Sequence, residues 1–340
     1  MNLVPEMAKL GLLGPTFPEI YGGASVSEIA YGLMMLELER GDSGLRSFAS
    51  VQSGLVMYPI FRYGTEEQRL KYLPKLARGE IIGCFGLTEP DSGSDPGGMK
   101  TRVVRDGSGY ILDGAKMWIT NGTIADVAVV WAKLDGEVRG FLVENGTSGY
   151  TVPVIKRKWS LRASVTSELV FDGCQIPGDA LLPGAKGLPA PLSCLTQARY
   201  GIAWGVIGAA MACFDEALRY ALQRIQFDKP IASFQIVQHK LVEMATEITK
   251  GQLLVWRLGR LKQQGNATHQ MVSMAKRNNC EQALQIARMA RDVLGAAGIT
   301  YEFQSGRHIV NLESVYTYEG THDIHTLAIG ADLTGIEAFR

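Results

Sequence analysis

The sequence predicts a mainly α-helical fold with a small central β domain, because the residue pattern changes twice along the 340 residues. Residues 1–84 carry apolar side chains at helical intervals, residues 85–195 form short β-rich runs separated by Gly, Asp and Pro, and residues 196–340 return to helical periodicity. We therefore predict an N-terminal helical domain, a β domain and a C-terminal helical bundle with these bounds.

Each domain contains recognisable elements. In the first, residues 25–28 and 65–68 both fit a capping box, which predicts two helix starts. In the second, residues 127–131, 140–143 and 168–171 read as strands. In the third, we predict long helices near 198–226, 234–264 and 267–295. Gly201, Gly205 and Gly208 recur there at helical spacing, which is typical of close helix packing.

Composition excludes several classes of function. Lys plus Arg and Asp plus Glu both number 34, so no net charge favours nucleic acid or an anionic membrane. Five scattered cysteines and the isolated pair His322 and His325 predict no disulfide framework or metal site, and a reducing compartment. The apolar run 203–214 is shorter than a membrane-spanning helix, and residues 1–10 lack a targeting pattern. We expect a cytoplasmic protein in a bacterium, or a processed mitochondrial matrix protein in a eukaryote.

Three segments carry residues suited to chemistry. Residues 318–324 place Glu319 between an aromatic residue and a glycine where a helix is predicted to begin, so Glu319 is a candidate base. The alternative is an ordinary surface helix with Glu in its first turn. The other two segments, residues 85–95 and 116–121, lie far upstream of residues 318–324. No G-x-G-x-x-G follows a predicted strand, so a dinucleotide would not be held by a Rossmann phosphate turn.

In order and spacing, these three segments resemble the flavin and base motifs of the acyl-CoA dehydrogenase family, and the resemblance covers almost the whole chain. Residues 38–47 resemble the substrate-carboxylate segment of the glutaryl-CoA dehydrogenases within that family. The resemblance implies the predicted domain order, with a four-helix bundle as the C-terminal domain, and an FAD cofactor. Because the family fold usually has further N-terminal helices, we expect this chain to lack the first of them.

The resemblance places the flavin ring of FAD against the β domain. There the Thr88 hydroxyl can hydrogen-bond to a ring heteroatom, Gly93 and Ser94 allow close approach, and Trp118 offers a flat apolar surface. A plain surface turn at 92–98 is the alternative. The residues implied to bind FAD are Phe85, Leu87, Thr88, Gly93, Ser94, Trp118, Ile119, Thr120, Arg224, Phe227, Gln235, Asp292, Gly295, Ala296, Thr321 and Asp323.

Some of these positions imply an assembly. Arg224, Phe227 and Gln235 resemble the segment that reaches the adenosine end of FAD in a neighbouring subunit, which implies a homo-oligomer, and we expect a tetramer. Arg224 interacting with a helix dipole is the alternative. The family usually shows Gly-Gly-Asn-Gly where this chain has residues 295–298, Gly-Ala-Ala-Gly, so Ala296 adds a Cβ near the ADP part of the cofactor.

For the substrate, the resemblance implies that Glu319 removes the proton α to a thioester carbonyl while FAD accepts the β-hydrogen. Arg46 would bind the terminal carboxylate of glutaryl-CoA, because an unpaired buried charge is costly. A surface Arg46 paired with Asp42 is the alternative. With Tyr318 immediately before the candidate base, the chain resembles the decarboxylating members of the group. The residues implied to bind substrate are Glu39, Arg46, Ser47, Ser94, Arg199, Tyr318, Gly320 and Phe339.

The resemblance therefore implies FAD-dependent oxidative decarboxylation of glutaryl-CoA to crotonyl-CoA and carbon dioxide, in lysine and tryptophan degradation. An electron-transfer flavoprotein would reoxidise the flavin. Two alternatives stay open: a dehydrogenase of another short-chain or dicarboxyl acyl-CoA without decarboxylation, and a flavin-free structural homologue.

Overall fold

The computed structural model describes residues 3–338 and contains two compact units, which are described separately. The first unit comprises Met1–Val26, Ser47–Lys158 and Ser164–Ala198. The second comprises Ser27–Arg46, Trp159–Ala163 and Arg199–Arg340. This partition joins residues 27–46 to the C-terminal helices, whereas the predicted domain bounds follow chain order and stay a prediction.

Helices make up 56% of the protein, and a β-sheet lies between them in the chain. The helices are α1 (Val4–Lys9), α2 (Glu28–Gly41), α3 (Ser43–Ser50), α4 (Tyr58–Tyr63), α5 (Glu66–Ala77), α6 (Pro189–Gln223), α7 (Gln235–Gln263), α8 (His269–Val293), α9 (Ser305–Thr317) and α10 (His322–Thr334). The strands are β1 (Gly83–Gly86), β2 (Arg102–Asp106), β3 (Gly109–Thr120), β4 (Val127–Leu134), β5 (Glu137–Glu144), β6 (Tyr150–Thr151), β7 (Thr166–Ile176), β8 (Leu181–Leu182), β9 (Ile225–Gln226) and β10 (Lys229–Pro230).

The first unit is built on an eight-stranded sheet of order β6-β7-β3-β2-β4-β5-β8, with β1 pairing in parallel to β4. Side chains of β4 alternate between two apolar cores: Val129 and Trp131 pack on one face, Val130 and Ala132 on the other. The first face also packs on α4 and α5. A strand that is buried on both faces has a near-continuous run of apolar residues in its sequence. Residues 127–131 form such a run, and their prediction as a strand is confirmed.

The two predicted capping boxes have different outcomes. At α5 the box is confirmed: Thr65 Oγ1 accepts from Gln68 N at 3.2 Å and Gln68 Oε1 accepts from Thr65 N at 2.9 Å. The box at residues 25–28 is wrong, because Ser27 caps α2 by accepting from Ala30 N at 3.1 Å. Ser25 instead has a left-handed φ of 49°, outside the extended conformation of a capping residue.

The second unit is a helical bundle in which α8 packs against α7, α9 and α10, and α2 packs against α7. The predicted close packing at the glycines of α6 is confirmed. A Cβ built on Gly208 would lie 1.9 Å from the Leu36 carbonyl oxygen of α2. A helix start with Thr321 as its cap, through a 3.2 Å bond from Ile324 N, sets where α10 begins. The mainly helical fold with a central β domain is thus confirmed.

Helix α6 has the length and apolar composition of a membrane span, and 78% of its apolar window is buried within the protein. Such burial is typical of a core helix. The expectation of no membrane insertion stays a prediction.

Candidate active site

Glu319 lies in the connection between α9 and α10, two residues before the cap Thr321, so the alternative of a first-turn surface glutamate is wrong. Its φ is 53°, and that of Gly320 is 94°. Left-handed conformations cost a non-glycine residue energy, and they cluster at functional sites where surrounding contacts enforce them. The segment of residues 318–320 is therefore held in place by its neighbours.

Two basic side chains bind all three carbonyl groups of this segment. Lys276 Nζ donates to the Tyr318 and Gly320 carbonyl oxygens, each at 2.8 Å. Arg199 Nε donates to the Glu319 carbonyl oxygen at 2.6 Å. Arg199 was predicted as a substrate contact, and here it supports the backbone of the candidate base.

Sequence reasoning missed Lys276, although a signal was available. On α8, Val272, Lys276 and Cys280 follow one another at four-residue spacing, and all three are buried. A lysine within an apolar stripe of a helix indicates a buried charge with a specific partner.

The Glu319 carboxylate is only partly neutralised by its surroundings. Its Oε2 is screened from solvent and has no hydrogen-bond partner among the described residues, although the residue as a whole is half-buried. Burial raises the pKa of Glu319, while the charges of Arg46, Arg199 and Lys276 oppose that rise. A carboxylate with a raised pKa and a free oxygen is suited to accepting a proton near neutral pH.

Arg46 is fully buried, and its guanidinium has one free donor group. Nε binds Glu39 Oε2 at 2.6 Å, Nη2 binds the Tyr318 hydroxyl, and Nη1 has no partner among the described residues. Burial by itself lowers the pKa of Arg46. The charge interactions and hydrogen bonds with Glu39 and Tyr318 have the larger combined effect, so the pKa is raised well above its ordinary value. Burial likewise raises the pKa of the Tyr318 hydroxyl.

The alternative role of Arg46 as a surface partner of Asp42 is wrong. Asp42 Oδ1 accepts from Gly44 N at 2.7 Å, and its Oδ2 lies 3.2 Å from Arg307 Nη1. Glu39, which was predicted to complete a polar network with Arg46, is fully buried beside it.

Gly205 of α6 makes room for this ion pair. A Cβ at that position would lie 2.1 Å from Glu39 Oε2 and 3.1 Å from Arg46 Nε. The sequence predicted a packing role for Gly205, and the structure adds that the group packed against it is a buried charge pair.

The cluster carries excess positive charge. Arg46, Arg199 and Lys276 are three cations, and Glu39 and Glu319 are two carboxylates, so the sum is +1 with Glu319 ionised. A further anion near the free Nη1 of Arg46 would bring the sum to zero. The site thus favours a ligand with a negatively charged end.

In the first unit, a β-bulge exposes the predicted flavin surface. Between Lys116 and Ile119 the pairing of β3 with β7 shifts register, and Trp118 takes a φ of 63° with 62% of its surface exposed. Met117 N donates to the Thr88 carbonyl oxygen at 2.8 Å, which brings the two predicted flavin segments together. A bulge that re-aims one side chain is a common device beside active sites.

These residues fit a planar cofactor. The Thr88 hydroxyl has no hydrogen bond to any other described residue, and a Cβ on Gly93 would meet nothing nearer than Thr88 Cγ2 at 4.0 Å. Ser94 is exposed, Thr120 is half-buried, and Phe85, Leu87 and Ile119 are buried. An exposed indole, a free hydroxyl and open space beside a glycine suit a flavin ring.

A buried ion pair supports the same segment. Lys116 Nζ lies 2.8 Å from Glu89 Oε1 and 3.1 Å from the Leu87 carbonyl oxygen, and Glu89 also accepts from the backbone amides of Lys100 and Thr101. Burial opposes ionisation of both partners, yet the pair with its hydrogen bonds holds the pKa of Glu89 at about 2. Sequence reasoning missed this pair.

The second unit contains the residues predicted to bind the adenosine end of FAD and several others predicted to bind FAD. Arg224, Phe227 and Gln235 are exposed in and after the connection from α6 to α7, and Phe227 is 86% exposed. Asp292 pairs with Lys240 at the end of α8. Gly295 and Ala296 are exposed, Thr321 caps α10, and Asp323 is exposed in its first turn.

Three predicted substrate-binding positions remain, and the structure describes two of them. Ser47 is buried in α3, and Gly320 lies where a Cβ would meet His325 Nε2 at 2.8 Å. Phe339 lies outside the described residues. His322 stacks on Tyr316 at 4.5 Å between ring centroids, and no group of three metal-ligating residues occurs within residues 3–338.

Comparison with known proteins matches three family models along the chain. They are the acyl-CoA dehydrogenase N-terminal domain at residues 1–80, the middle domain at 84–174 and the C-terminal domain at 185–334. The human mitochondrial short-chain specific acyl-CoA dehydrogenase is 35% identical over 97% of this chain and 82% of its own length.

Solved structures give a similar result. A glutaryl-CoA dehydrogenase from Mycobacterium smegmatis has a TM-score of 0.98 and 56% identity, covering 100% of this chain and 87% of that one. A Mycobacterium smegmatis glutaryl-CoA dehydrogenase in complex with FADH2 has a TM-score of 0.98 and 53% identity, covering 100% and 88%.

The fold and the site define a flavin-dependent oxidoreductase. The chain belongs to the acyl-CoA dehydrogenase family. This confirms the family resemblance seen in the sequence, and because the family is FAD-dependent it also confirms the predicted cofactor.

Proposed function

We propose that this acyl-CoA dehydrogenase oxidises glutaryl-CoA and decarboxylates the product to crotonyl-CoA. The observation that carries the proposal is the fully buried Arg46, whose Nη1 donor has no partner among the described residues. A donor of that kind costs free energy until a ligand satisfies it, and a carboxylate is its best acceptor. A saturated fatty acyl chain offers no such group.

In this proposal, Glu319 is the base. Its screened Oε2 accepts the proton α to the thioester carbonyl, and bound FAD supplies the acceptor for the β-hydrogen as hydride. Arg46 holds the terminal carboxylate, which fixes the acyl chain relative to Glu319. The raised pKa of Glu319 brings its basicity closer to that needed for a weakly acidic carbon.

The dehydrogenated intermediate is glutaconyl-CoA. When its carboxylate leaves as carbon dioxide, the electron pair of the broken C–C bond remains on the acyl chain, and uptake of one proton gives crotonyl-CoA. The proton held at Glu319 is available for this step. Tyr318 binds the same guanidinium as the substrate carboxylate would, so it is placed to influence that departure.

The assembly and partners follow from the family resemblance. We infer a homotetramer in which Arg224, Phe227 and Gln235 reach FAD of a neighbouring subunit, which is supported by their exposure. Electron-transfer flavoprotein would accept the electrons. A role in lysine and tryptophan degradation, in the cytoplasm or the mitochondrial matrix, belongs to the same proposal.

The test compares glutaryl-CoA with butyryl-CoA, which lacks the terminal carboxylate, using an artificial electron acceptor. A double variant, Glu39→Gln with Arg46→Met, removes the cation without leaving a buried carboxylate unpaired. We expect its kcat/KM for glutaryl-CoA to fall about 10- to 100-fold, since a hydrogen bond to a charged group contributes about 1.5–3 kcal/mol, while butyryl-CoA is affected less.

Arg40→Met is the matched control, because Arg40 follows Glu39 on α2 but is half-exposed and pairs with Asp215. It should leave the selectivity unchanged. Glu319→Gln should abolish turnover of both substrates. Equal losses on both substrates in the double variant would instead favour the alternative, a short-chain dehydrogenase without decarboxylation. The human relative, which is 35% identical to this chain, is named as a short-chain specific acyl-CoA dehydrogenase.

A further inference from the structure

Lys276 is a buried cation without a carboxylate partner. It is 1% exposed, and no carboxylate of the described residues lies within ion-pair distance of its Nζ. Its two hydrogen bonds go to the Tyr318 and Gly320 carbonyl oxygens, on either side of the candidate base. Burying an ammonium group without a counter-ion is costly, so packing alone does not account for a lysine at this position.

The geometry around Lys276 is that of a clamp, which we define as Lys276 Nζ and Arg199 Nε bound to the carbonyls of residues 318–320. Two cations therefore orient three successive carbonyls. This fixes the left-handed backbone at Glu319 and Gly320 and hence the direction of the Glu319 side chain.

We propose that Lys276 is a positioning residue, which holds Glu319 in the geometry for proton abstraction and uses its charge to keep that carboxylate ionised. This rests on the proposed role of Glu319 as base. Lys276 acts through the backbone and the local field, because the donors it uses are directed at carbonyl groups rather than at a ligand.

The charged groups around Lys276 determine its own protonation. Burial lowers the pKa of Lys276 to about 8; Cys280 and Glu319 oppose this, whereas Arg199 and Arg46 add to it. His325 of α10 also faces this region, and burial holds its imidazole neutral by lowering its pKa to about 2. Lys276 should thus lose its charge as the pH rises above about 8, while Arg199 stays charged.

Two variants separate charge from shape. Lys276→Met has similar length and no charge, so it removes both the donors and the burial cost, and we expect it to fold. Lys276→Arg keeps a charge that does not titrate. Arg288→Met is the matched control, since Arg288 lies on the same helix but pairs with Glu313 at a half-exposed position.

In Lys276→Met we expect kcat for glutaryl-CoA to fall about 100-fold with little change in KM, because a displacement of about 1 Å at the reacting group costs on that order. The acidic limb of the kcat profile should move up by about one pH unit, since a cation near Glu319 has been removed. Wild-type kcat should decline above about pH 8, where Lys276 loses its charge. Lys276→Arg should keep the wild-type acidic limb, recover part of kcat and show no such decline.

Amide hydrogen exchange gives a readout that is independent of chemistry. Backbone amides of residues 318–322 should exchange faster in Lys276→Met than in Arg288→Met. Unchanged exchange together with kcat within about twofold of wild type would overturn the inference. So would loss of activity with an unmoved acidic limb, which indicates a purely structural role. Turnover retained in Glu319→Gln would refute the proposed function separately, while faster exchange would still support the clamp.

Discussion

Gly205→Ala is expected to displace the buried carboxylate that orients Arg46. An ideal Cβ at position 205 lies 2.1 Å from Glu39 Oε2, whereas real Cβ contacts essentially never fall below 3.0 Å, so the carboxylate must move by 3.0 − 2.1, or 0.9 Å. The 2.6 Å bond to Arg46 Nε cannot survive such a shift in its present geometry.

The expected stability change follows from two opposing contributions. Loss of a hydrogen bond between charged groups costs about 1.5–3 kcal/mol. Replacing a helical glycine by alanine gains about 1 kcal/mol. The net destabilisation is therefore about 0.5–2 kcal/mol, measured as the free energy of unfolding in urea.

Gly330→Ala is the matched control, because a Cβ at that position of α10 would meet nothing within 4 Å. It should stabilise the protein slightly. The selectivity for glutaryl-CoA over butyryl-CoA should fall in Gly205→Ala and stay constant in Gly330→Ala. If Gly205→Ala is as stable as Gly330→Ala and equally selective, the account of the ion pair is refuted.

Three further predictions concern single residues. Burial raises the folded-state pKa of Glu319, so at a pH above its ordinary pKa the ionised carboxylate destabilises the folded protein. Glu319→Gln should therefore raise the thermal midpoint at pH 7 and raise it much less at pH 4. An equal effect at both pH values would contradict this. Lys116→Met should weaken FAD binding about tenfold or more in ultrafiltration assays, because Glu89 loses its buried partner. Unchanged affinity would show that the pair does not support the flavin segment. Tyr318→Phe should increase the fraction of product that keeps its carboxylate, as measured by chromatography of CoA esters; an unchanged product ratio would exclude a role in decarboxylation.

The parts of the candidate site that could be predicted from the sequence lie in contiguous motifs. Glu319, Thr88 and Trp118 each sit in a segment whose neighbours are also distinctive, so the pattern could be read along the chain. The bounds of α7 and α8 were predicted to within two residues, since their apolar period is continuous, whereas α6 begins at Pro189, well before its predicted start near residue 198.

What the sequence could not predict depends on partners distant in the chain. Lys276 binds carbonyl groups more than forty residues away, and Gly205 faces a carboxylate from another helix. Neither interaction has a local signature. The cap of α2 was misplaced because Ser25 has the capping-box spacing to Glu28, whereas Ser27, the actual cap, is followed three residues later by Ala30.

The most direct test of the central claim is mass spectrometry of the CoA product after the purified protein reacts with glutaryl-CoA and an artificial electron acceptor. We expect crotonyl-CoA and carbon dioxide, with neither formed by Glu319→Gln. Recovery of unreacted glutaryl-CoA, under conditions where butyryl-CoA is oxidised, would contradict the assignment of Arg46 to a substrate carboxylate.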